Sequence, residues 1–120
     1  MDRNGWTAFD EAEPHESDCL DGWLLVWHVY RHNVSVRWED RRHTSMITHW
    51  MPMPKEGWIS ASDRKPTKKD ADIMGCVLAI NRYDGIRVTG WFQFDLNCYL
   101  THWRPTPGHP EDHMEYSRRF

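Results

Sequence analysis

Cysteine is scarce in this chain. There are three, Cys19, Cys76 and Cys98, with no Cys-x-x-Cys pair among them. An odd number without paired spacing argues against a disulfide framework. No run approaches the roughly 20 apolar residues of a membrane span. The first residues hold no apolar stretch of signal-peptide length. These absences lead us to expect a soluble, cytoplasmic protein with reduced thiols. No Gly-x-Ser-x-Gly, P-loop or Gly-x-Gly-x-x-Gly pattern occurs, so the common signatures of a nucleophile elbow or a phosphate cradle are missing. No segment keeps i, i+3, i+4 apolar spacing long enough for a long helix. The net charge of −3 supplies no overall basic field for nucleic acid.

Tryptophan, by contrast, is abundant, at 8 of 120 residues. Each buried indole removes roughly 150–250 Å² from water, which is how a small polar chain assembles a core. The tryptophans also mark an internal duplication. Gly5-Trp6 and Pro14 return 52 residues later as Gly57-Trp58 and Pro66. Thr48-His49-Trp50, followed by Pro52 and Pro54, returns after 53 residues as Thr101-His102-Trp103, Pro105 and Pro107. One residue is gained between Pro66 and Gly75. Self-similarity at a fixed period identifies repeated structural units. The boundaries read as repeat 1 over 1–54, repeat 2 over 55–107 and a polar tail over 108–120. Units of about 50 residues bury too little alone, so one compact body with a shared core is expected.

Within repeat 1, Trp23–Tyr30 is rich in aromatic and β-branched residues and is bounded by Gly22 and Asn33, the pattern of a strand. Val34, Val36 and Trp38 alternate with Ser35 and Arg37, the period of a half-buried strand. Met46–Met51 forms a third, ended by Pro52 and Pro54. Repeat 2 follows with Cys76–Ile80, a turn at Tyr83-Asp84-Gly85, Ile86–Phe94 with Gly90 as a bulge position, and Tyr99–Trp103. The fold class expected is mainly β, with room for a short helix in 10–21 or 66–74. Two three-stranded antiparallel units pack about a pseudo-twofold axis in this reading. The tail is expected to be mobile or lightly docked.

The opening GWISASDRKP of residues 57–66 and the closing THWMPMP of residues 48–54 together resemble the phage and prophage domain of unknown function 551 family. The resemblance covers nearly all of residues 5–107, as two copies. It departs at Lys65 and Glu13, where the family usually has Leu before the opening Pro, and at Arg104-Pro-Thr-Pro107 in the second closing motif. It implies a small phage-encoded or prophage-encoded protein and brings no catalytic residue or cofactor.

Histidine is the main candidate for chemistry. His49 and His102 occupy matching positions, and His serves as a metal ligand or general base. A metal site needs three or four convergent ligands with second-shell support, and the thiols are not duplicated with the histidines: Ser45 stands where Cys98 would be matched. The alternative is a partly buried ring bonded to a backbone carbonyl beside an indole, and no cofactor or metal is expected. Cys98 and His102, four residues apart on a strand, would lie about 13 Å apart, too far for a nucleophile and its base. Residues 1–21 are strongly acidic, and basic clusters follow at Arg37, Arg41 and Arg42 and at Arg64, Lys65, Lys68 and Lys69. Such runs ordinarily form solvated faces.

The repeat motif Trp6, Trp58, Thr48, His49, Trp50, Thr101, His102 and Trp103 is assigned a structural role. The candidate partner-binding residues are Trp38, Arg41, Arg42, Met51, Met53 and Arg104, with Met51 and Met53 expected as an exposed, adaptable apolar patch. The functional expectation is a non-enzymatic, phage-derived accessory protein that binds a bacterial host protein machine and inhibits it, in the manner of an anti-CRISPR. The alternatives are a small His-dependent metal enzyme and a single-stranded nucleic-acid binder that stacks bases on aromatics within a basic groove.

Overall fold

The computed structural model describes all 120 residues. It is mainly β, with eight strands and one short helix. They are β1 (Thr7–Ala8), β2 (Trp23–His28), β3 (His32–Arg37), β4 (Ile47–Met51), β5 (Ile59–Ser60), β6 (Cys76–Asn81), β7 (Gly85–Gly90), β8 (Leu100–Arg104) and α1 (His113–Ser117). The chain divides into two compact units. Met1–Met53 with Pro107–Phe120 forms the first, and Pro54–Thr106 the second. Each holds one antiparallel sheet of four strands, in the orders β1-β4-β2-β3 and β5-β8-β6-β7. The expected three strands per unit are therefore corrected to four. The added strand is the two-residue ribbon after the opening Gly-Trp, pairing Thr7 with Trp50 in one unit and Ile59 with Trp103 in the other.

The same local chemistry builds both units. Gly22 (φ 83) and Gly75 (φ 77) turn the chain into β2 and β6 through the left-handed region. Their carbonyls accept the amides of Trp38 and Trp91 at 3.0 and 3.1 Å. The hairpins β2–β3 and β6–β7 have three-residue loops, and His32 (φ 65) and Gly85 (φ 84) take the left-handed position such loops require. His28 Nδ1 accepts the amides of Tyr30 and Arg31 at 3.1 and 3.2 Å. At the matching place Asn81 Oδ1 accepts those of Tyr83 and Asp84 at 2.9 and 3.2 Å. Two different side chains thus cap the same turn. The register of the central strand against its neighbour slips at the same point in both sheets, between Trp27 and His28 and between Ile80 and Asn81.

One face of each sheet closes over an apolar cluster. In the first unit it comprises Phe9, Leu24, Val26, Val36, Ile47 and Trp50. In the second it comprises Val77, Ala79, Phe94, Leu100 and Trp103. Leu25 and Leu78, on the opposite faces, are also fully buried. That explains why β2 and β6 read as unbroken apolar runs rather than as alternation. Trp6, Trp23, Trp27, Trp50 and Trp103 are buried and the other three indoles are half-buried. Trp50 Nε1 donates to Ala12 O at 2.9 Å, and Trp103 Nε1 to Arg64 O at 2.7 Å. Each bond ties the irregular opening segment across its own core.

Two sequence expectations change, and the tail, expected mobile or lightly docked, proves to be docked. Ile86–Phe94 is not one strand: β7 stops at Gly90, and Trp91–Asp95 winds into a 3-10 turn. Gly90 is the pivot rather than a bulge, and a Cβ there would meet the Phe92 ring at 2.7 Å. Trp38 likewise begins a 3-10 turn, Trp38–Asp40, rather than ending a strand. The polar tail is docked into the first unit. Trp6 Nε1 donates to Gly108 O at 2.6 Å, Asn4 Nδ2 to His109 O at 2.7 Å, and the Glu111 amide to Asp2 Oδ2 at 3.0 Å.

Trp50→Ala and Trp103→Ala should each remove about 3–5 kcal/mol of stability in denaturant unfolding. A loss below about 1 kcal/mol at either site would contradict a core organised on these indoles.

Candidate interaction surface

The expected binding residues resolve into two groups. Met51 and Met53 are 7% and 1% exposed, so the expected apolar methionine patch does not exist. Met51 is drawn inward because it packs against the opening glycine, where a Cβ on Gly5 would sit 3.3 Å from its Cε. Arg104, its counterpart, lies against Gly57 and donates to Glu56 O. The others are engaged within the chain. The Arg41 guanidinium stacks on the Trp38 ring at 3.8 Å and donates to Trp38 O at 2.9 Å. Arg42 covers Phe9 at 4.7 Å and bridges to Glu13 at 3.1 Å. A base stacking on Trp38 would have to displace Arg41 from that ring face. This observation weighs against the nucleic-acid reading.

His49, 1% exposed, sits in a closed polar network in the first unit. Its Nδ1 lies 2.7 Å from Thr48 Oγ1 and its Nε2 2.8 Å from Asp112 Oδ1 of the tail. Tyr116 of α1 packs its ring edge-on, 4.6 Å away between centroids. The carboxylate can only accept, which fixes the neutral tautomer: Nε2–H donates to Asp112, and the threonine hydroxyl donates to Nδ1. Burial pushes the His49 pKa down, while Asp112, Asp2 and Glu11 pull it up, and burial wins. The pair is therefore an imidazole–carboxylate hydrogen bond near neutral pH. The expected backbone-carbonyl partner is corrected to a hydroxyl and a carboxylate, because the motif backbone is laddered between β1 and β2 while the ring reaches Asp112 of the tail on one side and the neighbouring threonine on the other. No group of three or more His, Cys, Asp or Glu side chains converges as metal ligands would.

His102 repeats half of this arrangement. Its Nδ1 meets Thr101 Oγ1 at 2.9 Å. The ring is half-exposed, and no carboxylate stands where Asp112 stands for His49. It lines a groove of about 610 Å³ in the second unit together with Ser60, Ser62, Lys65, Leu96 and Cys98. Phe94 and Leu100 form its apolar floor. Cys98 precedes β8 in a turn, so it and His102 do not share the strand that sequence spacing suggested.

The second repeat is apolar at positions where the first is polar. Phe92, Phe94 and Leu96 replace Glu39, Arg41 and His43, whereas Tyr99 matches Met46 and Tyr83 matches Tyr30. Leu96 is 74% exposed and Tyr83 70%, and the Tyr83 and Tyr99 rings form an edge-to-face pair with centroids 4.8 Å apart. Ile73, Met74 and Phe92 are exposed as well. Sequence reasoning missed this set because each residue looked like strand or turn filling. For Phe92 and Leu96 the signal was available in the repeat comparison, as apolar gains over Glu39 and His43. The fold and this surface define a duplicated small β protein whose second unit exposes Ile73, Met74, Tyr83, Phe92, Leu96 and Tyr99. No family model, curated protein or solved structure matches the chain. No helix is long and apolar enough to cross a membrane.

The His49 network sets a pH dependence. With an unfolded pKa near 6.5, stability is highest above that value. It falls as pH drops below about 6.5, because the unfolded state takes up a proton that buried His49 resists; the loss continues down to the lower folded pKa. His28, held down by burial, Arg31 and His43, adds to the same slope. Thermal unfolding between pH 7.5 and 5 should show this decline, and His49→Gln should reduce the slope without abolishing it.

Proposed function

We propose that this protein is a non-enzymatic, phage-derived accessory protein that binds a protein of the bacterial host cell and blocks a defence or regulatory machine, such as a CRISPR effector. The observation that carries the binding role is the exposed aromatic and apolar surface of the second unit, displayed by Tyr83, Tyr99, Phe92 and Leu96, the last of which lines the groove. Exposed apolar side chains gathered beside a concavity favour association with another protein, with tyrosine and phenylalanine as anchors. The comparison between repeats strengthens the reading. The first unit, on the same scaffold, carries Glu39 and His43 where Phe92 and Leu96 stand, so the fold does not require those two residues to be apolar; Tyr83 and Tyr99 match Tyr30 and Met46. The phage origin rests on the resemblance of the Gly-Trp opening and the Thr-His-Trp closing motif. Action on a host machine places the protein in the bacterial cytoplasm.

The histidines favour binding over metal-dependent catalysis. His49 is held by Thr48 and Asp112, and His28 caps a turn. Both serve the fold.

Affinity capture from a bacterial lysate with the intact protein should retain a specific host protein. The double variant Tyr83→Ser, Leu96→Ser should lose it while keeping the wild-type far-ultraviolet circular dichroism. In parallel, expression of the intact protein should raise phage plating on a defence-proficient host. Capture of no host component together with unchanged plating would refute the proposal.

A further inference from the structure

We propose that the groove of the second unit takes a short acidic and aromatic segment of its partner: a carboxylate followed one helical turn later by an aromatic ring. This rests on the reading of the protein as a binding module and names what that module recognises.

The first unit shows how such a segment seats. Its own tail places Asp112 on His49 Nε2 at 2.8 Å and lays the Tyr116 ring against the same imidazole. The Tyr116 hydroxyl reaches Asp10 Oδ2 at 3.4 Å. Asp112 and Tyr116 are four residues apart, on one side of a helical turn. The receiving positions are His49, Ala8 and Asp10, and in the second repeat these correspond to His102, Ser60 and Ser62. All three line the groove. His102 keeps the threonine contact at its Nδ1, and the Thr101 hydroxyl, which donates to Ile80 O at 3.3 Å, turns its proton to that nitrogen when Nε2–H meets a carboxylate.

The two units begin this feature alike. Trp6 Nε1 donates to Gly108 O and Trp58 Nε1 to Pro54 O, at 2.6 and 2.9 Å. Beyond Gly108 the chain continues over His49. Beyond Pro54 it turns into β5, and His102 is left half-exposed. The lining carries one carboxylate fewer than its counterpart, because Asp95 in place of Arg42 balances the Lys65 exchange. Ser62 replaces the carboxylate of Asp10, and Lys65 replaces Glu13. The rim ion pair is reversed in polarity, from Glu13–Arg42 at 3.1 Å to Lys65–Asp95 at 3.3 Å. Phe94 and Leu100, from the core cluster, line the same groove and give it apolar surface for an aromatic ring.

The probe is a synthetic peptide of residues 107–120 of this chain, added to the full-length protein. Cys98 is the reporter, an exposed free thiol in the groove lining. Cys19 and Cys76 are half-buried with thiols pushed up in pKa, chiefly by burial. Mapping of the labelled fragments resolves the three. The expected result is saturable protection of Cys98 from a thiol reagent. The same peptide carrying Asp112→Asn or Tyr116→Ala should need about tenfold more for equal protection, the loss of one charge-assisted hydrogen bond or one ring contact. The protein variant His102→Ala should lose the protection, and His102→Gln should retain part of it.

Three results would overturn the proposal: no protection at millimolar peptide, equal protection by the Asn and Ala peptides, or full protection in the His102→Ala protein. Protection without any host protein captured from lysate would keep the groove and refute the host-binding role. A captured host protein that this peptide neither displaces nor mimics at Cys98 would do the reverse.

Discussion

The indole of the Thr-His-Trp motif is the constraint on which each unit depends. A tryptophan on β4 or β8 is buried against the sheet, and its one polar atom must find a partner within the core. It finds the carbonyl of Ala12 or of Arg64, each in the irregular stretch after the opening Gly-Trp. That stretch has too few apolar residues to fold by its own burial. The bond, together with the adjoining ladder between β1 and β4 or β5 and β8, holds it in place. The buried prolines Pro14 and Pro66 follow directly and lead to the 3-10 turns Glu16–Asp18 and Lys68–Asp70. In both turns an aspartate carboxylate accepts the backbone amide three residues before it, at 2.8 Å. Changing the indole therefore affects a segment of some twenty residues, not one packing site.

A scaffold fixed this way leaves its surface free to diverge. The first unit keeps charged residues around the Trp38–Asp40 turn and pairs them internally, Arg41 on Trp38 and Arg42 on Phe9 and Glu13. It also encloses its motif histidine beneath the tail. The second unit has Phe92, Phe94 and Leu96 in place of Glu39, Arg41 and His43, keeps an ion pair at Lys65–Asp95, and its histidine borders an open groove. Duplication followed by such divergence separates two tasks. One copy secures the C-terminal segment, while the other offers the apolar surface on which we place the interaction with a partner.

The duplication, the mainly β class and the central strands were legible in the sequence, because Gly, Trp and Pro at fixed spacing punctuate both copies. Other features had no local signature. A strand of two residues, such as Thr7–Ala8, has no periodicity to read, and only its pairing with β4 defines it. Trp91–Asp95 is as aromatic as a strand, yet Gly90 lets Phe92 fold back and the chain winds instead. The tail reads as polar coil, since HMEYS shows no apolar face. Its order comes from Asp112 reaching His49, 63 residues away. Met51 and Met53 follow the motif tryptophan into prolines, which suggested an exit to solvent, but both side chains turn inward. The groove was hidden for a related reason: its lining is drawn from four separated stretches between Ser60 and His102.

Two equivalent indole–carbonyl bonds organise two equivalent units. Hydrogen exchange at the indole N–H groups, followed by nuclear magnetic resonance, tests it most directly. The account predicts that the Trp50 and Trp103 indole protons exchange as slowly as the backbone amides of Val26 and Ala79 in the central strands. Exchange of either indole at the rate of a solvated one would contradict it.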